Sequence, residues 1–218
     1  MPSTPHMQAK QAVLKAARHM VELGLVVGQG GNVSMRIEED PPLVAITPTQ
    51  LSYKLLRPEM IPVVNLSGEL VQGSIAPSTE ISLHLDIYGE RSDVRAIIHC
   101  HPPHATACAV AGLEIPPIVD EMVVLVGGAI RLADYGFPGT RDLASKALNK
   151  LGTDNAVLLR NHGLLAVGKS ITETIELCHL VENTAKIFLL AHSVGQVNTL
   201  PNEVIEAEQE LYRQRQVQ

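Results

Sequence analysis

Two histidines stand two residues apart in Val94-Arg-Ala-Ile-Ile-His-Cys-His101. The apolar run predicts a strand, on which side chains alternate faces, so His99 and His101 share one face and Cys100 takes the other. Two imidazoles so spaced can grip one metal ion, and Pro102-Pro103 ends the strand beside them, where sites commonly form. Two polar strand-end histidines without a ligand are the simpler alternative. A third candidate, His162, lies in Arg160-Asn-His-Gly163, a turn between two apolar runs. Gly163 permits close approach of another group; by itself, His162 reads as a hairpin-tip residue open to water. Taken together, three neutral imidazoles and a vacant fourth position would make a catalytic zinc site.

Glu80 closes Pro77-Ser-Thr-Glu80, where a helix is predicted with Ser78 as N-cap, running to about Tyr88. An acid in a first turn gains from the helix dipole, and that is the default account. The functional account makes Glu80 a general base beside a metal. His84, one turn on, shares its face and either orients the carboxylate or sits half-buried. Gly28-Gln-Gly-Gly-Asn-Val-Ser34 is a glycine-rich loop whose N–H groups could meet an anion, helped by Ser78 and Thr79. It matches neither the dinucleotide fingerprint nor a P-loop, and a plain turn is the alternative. His104 reads as a supporting group or a substrate contact. His19, His179 and His192 fall within predicted helices and read as structural.

The elements that must position these residues follow from periodicity. Helices are predicted over about Met7–Leu23, Ala105–Ala111, Arg141–Leu151, Ile171–Ser193 and Asn202–Arg215. In the long helix Ile175, Leu177, Leu180, Val181, Ile187 and Leu190 are expected to face mostly one way. Strands are predicted at Leu43–Thr47, Ile61–Leu66, Glu69–Val71, Val94–His101, Ala156–Arg160 and Leu164–Val167, with Glu121–Leu125 either strand or short helix. Strands and helices intermix, so one mixed α and β domain spans residues 1–218, with a core of about 9–193 and a flexible tail of 201–218. The hairpin at His162 argues against an all-parallel sheet.

Composition narrows the function classes. The chain has 218 residues, 45% of them hydrophobic, with 17 Lys+Arg against 23 Asp+Glu and a net charge of −6. General binding to nucleic-acid backbones or anionic membranes is not expected from that balance, nor is base stacking from 3% aromatics. No apolar run suggests a membrane span, and the N-terminus does not read as a secretory signal. Three cysteines, odd in number, fit a reducing cytoplasm.

Gly30-Gly-Asn-Val-Ser34, Ile46-Thr-Pro-Thr49, Pro77-Ser-Thr-Glu80, His99-Cys-His-Pro102 and Asn161-His-Gly163, in that order, resemble the class II aldolase/adducin family, and within it the sugar-phosphate aldolases. The resemblance spans roughly Ala9–Ser193. It implies a central, largely antiparallel sheet flanked by helices, and a zinc ion in a homotetramer with active sites between subunits. Zinc would be held by His99, His101 and His162. Glu80 would be the catalytic acid/base and could itself touch the metal. Gly31, Asn32, Thr49, Ser78 and Thr79 would hold a phosphate. The implied reaction cleaves a short ketose 1-phosphate, of the L-fuculose 1-phosphate kind, to dihydroxyacetone phosphate and an aldehyde through an enediolate. A sugar-phosphate 4-epimerase, a dehydratase or a decarboxylase would use the same site; a non-enzymatic adducin-like module would lack the three histidines. Two departures stand out. Gln50 replaces the glycine that often follows Thr-Pro-Ser/Thr. Asp120 and Glu121 follow Ile115-Pro116 where the fuculose-type enzymes carry a tyrosine, so either acid substitutes or the aldehyde differs. Tyr212 would match a second family tyrosine from a flexible C-terminus.

Overall fold

The apolar runs assemble into one eight-stranded sheet in the computed structural model, which describes residues 5–217. Its strands are β1 (Asn32–Ile37), β2 (Leu43–Ile46), β3 (Val63–Asn65), β4 (Leu70–Gln72), β5 (Ala96–Cys100), β6 (Arg131–Ala133), β7 (Ala156–Leu159) and β8 (Gly163–Gly168). They lie in the order β4-β3-β2-β1-β5-β8-β7-β6, and every neighbouring pair is antiparallel except β6 with β7. The helices are α1 (Pro5–Glu22), α2 (Ile81–Glu90), α3 (Pro103–Ala111), α4 (Asp120–Val126), α5 (Arg141–Leu151), α6 (Ile171–Val194) and α7 (Asn202–Val217).

Strand alternation divides the core in two. Val33, Ile98, Cys100, Leu164 and Ala166 pack with α1, α3, α4 and α6 on one side. Ile97, Leu165 and Val167 pack with α2 and α5 on the other. β5 and β8 are buried along their whole length, as central strands covered on both faces must be, and so read as continuous apolar runs. His99, two residues after Ile97, therefore lies on the α2 side.

Helix ends follow local chemistry. Thr140 Oγ1 accepts from Leu143 N at 3.3 Å and Gly152 closes α5, the span expected from sequence. Ser170 caps α6 through Glu173 N at 3.2 Å. α2 departs from expectation. Ser78 is not its cap: Ser78 Oγ accepts from Glu80 N at 3.3 Å and its carbonyl from Ile81 N at 3.1 Å, forming a turn before the helix. Glu80 occupies the N-cap position, and its carboxylate makes no capping bond.

The open choice at 121–125 resolves as helix α4. In α6 the buried face is Thr174, Ile175, Leu177, Cys178, Val181, Thr184, Ala185 and Phe188, at helical spacing. Ile187 and Leu190 lie off that stripe and are exposed. The helix expected over about Asn202–Arg215 is α7, which packs against α4 with Tyr212 buried.

Candidate metal centre

β5 ends at Cys100, and His101 follows with its N–H donating to Leu25 O at 3.0 Å, which ties the strand end to the chain leading into the glycine loop. The tight β7–β8 turn places His162 beside that end; Asn161 takes the left-handed conformation, φ 54°, that asparagine tolerates. The Nε2 atoms of His101 and His162 lie 3.0 and 3.1 Å from Nε2 of His99. Nitrogens bound tetrahedrally at about 2.0–2.1 Å from one zinc ion stand about 3.3 Å apart, so this spacing suits a shared cation. His99 is fully buried and His162 nearly so, which removes the account of a water-exposed hairpin tip.

Two glycines make the approach possible. A Cβ at Gly163 would lie 2.4 Å from Cys100 O and 2.7 Å from His101 Cδ2. At Gly31, whose φ is +72°, it would lie 2.4 Å from His99 O. Any side chain at either position pushes the histidine-bearing strand aside.

The imidazoles are set up as neutral ligands. His99 Nδ1–H donates to Leu164 O at 2.9 Å, which leaves the Nε2 lone pair facing the other two rings. Burial, then the neighbouring His101 and His162, hold His99 well below the usual histidine range. Burial also lowers His101, and lowers His162 against the opposing pull of Glu80. Glu80 completes the ring of donors: Oε2 is 3.4 Å from His99 Nε2 and Oε1 is 3.4 Å from His162 Nε2. Glu80 Oε1 is buried with no hydrogen-bond partner. Converging lone pairs and an unpartnered carboxylate oxygen repel one another unless a cation sits among them. Three nitrogens and one carboxylate oxygen also suit a borderline divalent metal.

Glu80 is held from behind. Asn32 Nδ2 donates to Glu80 Oε2 at 2.9 Å, and Asn32 Oδ1 meets His84 Nε2. His84 is fully buried, not half-buried, and desolvation pushes its pKa down to about 3. The amide of Asn32 thus faces Glu80.

The other expected phosphate residues are laced together. Val33 N donates to Thr47 Oγ1 at 3.1 Å, Ser78 N to Thr47 O at 3.0 Å, and Thr49 N to Ala76 O at 3.1 Å. Gly31, Thr49 and Ser78 therefore sit on adjoining loops, with Thr79 exposed next to them. Gln50 has φ 55°, the left-handed backbone that glycine favours, so the turn keeps its shape without the glycine. Tyr53, which drew no notice in the sequence, donates to Gly31 O at 2.6 Å and pins the glycine loop. Ser34, which the sequence places in the glycine-rich loop, and Tyr88, at the end of the helix, stand at strand and helix spacing from Asn32 and Glu80.

Three expected contacts lie elsewhere. Asp120 begins α4 and faces Glu208 of α7. Glu121 borders a groove with Glu173, Glu176 and Arg215. Tyr212 is buried, its hydroxyl donating to Thr153 O at 2.6 Å. His104 bonds Glu182, whose carboxylate also accepts from the N–H groups of His104 and Ala105 and so caps α3 from outside.

A mostly antiparallel sheet with a histidine–carboxylate centre at the ends of its central strands, a glycine-rich loop beside it, and helices on both faces defines a class. Residues 11–189 match the Class II Aldolase and Adducin N-terminal domain, and the chain belongs to that family. The 5-deoxy-D-ribulose 1-phosphate aldolase of Bacillus thuringiensis serovar kurstaki is 34% identical over 197 residues, covering 90% of this chain and 92% of the relative. The L-fuculose phosphate aldolase of Escherichia coli (strain K12) is 32% identical over 177 residues, covering 81% and 80%. A solved L-fuculose 1-phosphate aldolase superposes with a TM-score of 0.90 at 34% identity, covering 98% of both chains. With its histidines in place the chain is an enzyme, a metal-dependent lyase of the aldolase type. None of the described helices is long and apolar enough to cross a membrane.

Proposed function

We propose that this enzyme cleaves a short ketose 1-phosphate between C3 and C4, giving dihydroxyacetone phosphate and an aldehyde, with zinc as its resident metal. The convergence of three Nε2 atoms and the unpartnered Glu80 Oε1 carries this reading. His99, His101 and His162 hold the ion, with Glu80 at its border. The ion supplies Lewis acidity at the ketone oxygen.

The chain's own groups do the rest. On cleavage the C3–C4 electron pair stays on C3, the C4 hydroxyl loses its proton, and C3 gains one. Glu80 carries the C3 proton, a role that needs a carboxylate at hydrogen-bond reach of the three-carbon fragment. Gly31, Thr49, Ser78 and Thr79 hold the phosphate, and the fixed loops let that remote binding orient the reacting carbons. Asn32 contributes through its side-chain hold on Glu80. The relatives named above are aldolases of 5-deoxy-D-ribulose 1-phosphate and of L-fuculose phosphate, and this supports the same substrate class here. The family resemblance supports a homotetramer with sites between subunits, and the three cysteines, all buried and free, fit a reducing cytoplasm.

The test is a panel of phosphorylated ketoses assayed for dihydroxyacetone phosphate release, with and without a chelator. Release that the chelator abolishes and zinc restores is the expected result. Release unaffected by metal removal overturns the mechanism; turnover of the panel without any three-carbon product overturns the cleavage.

A further inference from the structure

The face of α2 that begins at Glu80 is polar where the rest of that core layer is apolar. Glu80, His84 and Tyr88 recur every fourth residue along the helix, and Asn32, Ser34 and Arg36 every second residue along β1. Four helical residues advance about 6.0 Å and two strand residues about 6.6 Å, so the two rows stay in step. They interlock as a ladder. Tyr88 Oη lies 2.9 Å from Ser34 Oγ, and Ser34 Oγ lies 2.6 Å from His84 Nδ1. His84 Nε2 meets Asn32 Oδ1, and Asn32 Nδ2 lies 2.9 Å from Glu80 Oε2. At the far end Arg36 donates to the carbonyls of Tyr88 and Arg91, and its guanidinium stacks 5.0 Å over the Tyr88 ring. Arg36, Asn32, Ser34, His84 and Tyr88 are all buried.

One directional choice settles every proton in the row. A carboxylate only accepts, so Asn32 must turn its NH2 to Glu80 and its oxygen to His84. His84 must then carry its proton on Nε2 and present Nδ1 as an acceptor. Ser34 gives its single proton to Nδ1 and can only accept from Tyr88. Every hydrogen bond points toward Glu80.

We infer that this ladder is a positioning device, with His84 the residue that locks the Asn32 amide and thereby the plane of the Glu80 carboxylate. His84 is not a second acid or base: an amide stands between it and Glu80, and an amide passes no proton without becoming an imidic acid. The role rests on the assignment of Glu80 to proton transfer. Without the ladder Asn32 flips or rotates and Glu80 swings from its line to the substrate carbon, while the three histidine ligands stay in place.

The test has a part that needs neither substrate nor metal. In metal-free protein labelled with 15N-histidine, His84 should give the Nε2–H tautomer pattern, and Asn32→Ala, which removes the oxygen that fixes the proton on Nε2, should degrade it to a mixture. An Nδ1–H tautomer or an imidazolium at neutral pH overturns the inference. Kinetics supply the second part. His84→Leu should lower kcat about 100-fold, the cost expected of a misplaced reacting group, with KM and zinc content held. His84→Gln, whose amide N–H can still reach Asn32, should recover most of that loss with both limbs of the pH profile unmoved. Tyr88→Phe, the mildest change, keeps the test open where His84→Leu fails to fold, and should lower kcat several-fold with KM held. Equal losses in the Gln and Leu variants, or a vanished limb in the Gln variant, would overturn it. If no ketose phosphate is cleaved while the tautomer result holds, the reaction assignment fails and the ladder geometry stands.

Discussion

Two buried polar clusters sit at opposite ends of the central strands. At the end where β5 finishes, His99, His101, His162 and Glu80 converge, and Glu80 Oε1 and His162 Nδ1 have no hydrogen-bond partner. At the end where β7 starts, Tyr212 Oη lies near Thr153 O and Asn155 Oδ1, Asn155 Nδ2 donates to Leu125 O, and Arg91 binds Asp93 and the carbonyls of Gly152 and Asp154. The second cluster is closed: its partners are inside the protein, and its product is the docking of α7 and the loops around it. The first is poised for something from outside. Satisfaction of the polar atoms separates a fastening from a reaction centre.

That contrast can be broken in four places. The largest effect is expected from His162→Ala, which should remove the bound metal, expected at about one ion per chain in the parent, and all metal-dependent turnover; metal analysis after dialysis reads it. Retained zinc with retained activity would mean the third imidazole is not a ligand. Glu80→Gln comes next. It keeps the donor shape but cannot carry a proton, so kcat should fall about 10²–10⁴-fold with metal content near that of the parent. A fully active Gln variant would remove Glu80 from the chemistry.

Gly163→Ala probes the fit between turn and strand. Its methyl group collides with Cys100 O and His101, so it should destabilise the fold by about 1–3 kcal/mol and weaken zinc binding. Denaturant melts and a competitive chelator titration measure the two, and an alanine variant with parental zinc affinity would show that the strand end can yield freely. The smallest effect belongs to the closed cluster. Tyr212→Phe removes one hydroxyl far from the histidines and should cost about 0.5–1.5 kcal/mol of stability with kcat untouched. A large loss of kcat there would abolish the division between the two ends and return Tyr212 to the list of substrate contacts.

Much of the site was readable because its spacing is local. His99 and His101 share a face through strand alternation alone, and Glu80 and His84 share one through the helical period. Helix α5 was readable because Gly152 closes it, and α6 because its apolar residues recur at helical spacing; the caps Thr140 and Ser170 emerge only in the structure. The start of α2 was misjudged because Ser78 carries the chemistry of a cap and spends it on a preceding turn. Asp120, Glu121 and Tyr212 drew attention by residue type and by family position, and within one chain each makes other contacts.

Residue order along the chain was enough to name the donors, the glycine loop and the family. The meeting of His162 with His99 was not contained in that order, since 63 positions separate them and only the pairing of β8 with β5 brings the turn to the strand end. The same holds for the glycines: Gly31 and Gly163 look like ordinary turn residues until the strand they press on is in place. Periodicity reports the neighbours a residue has within its own element. Contacts between elements depend on sheet order and on close packing, which only the assembled chain defines.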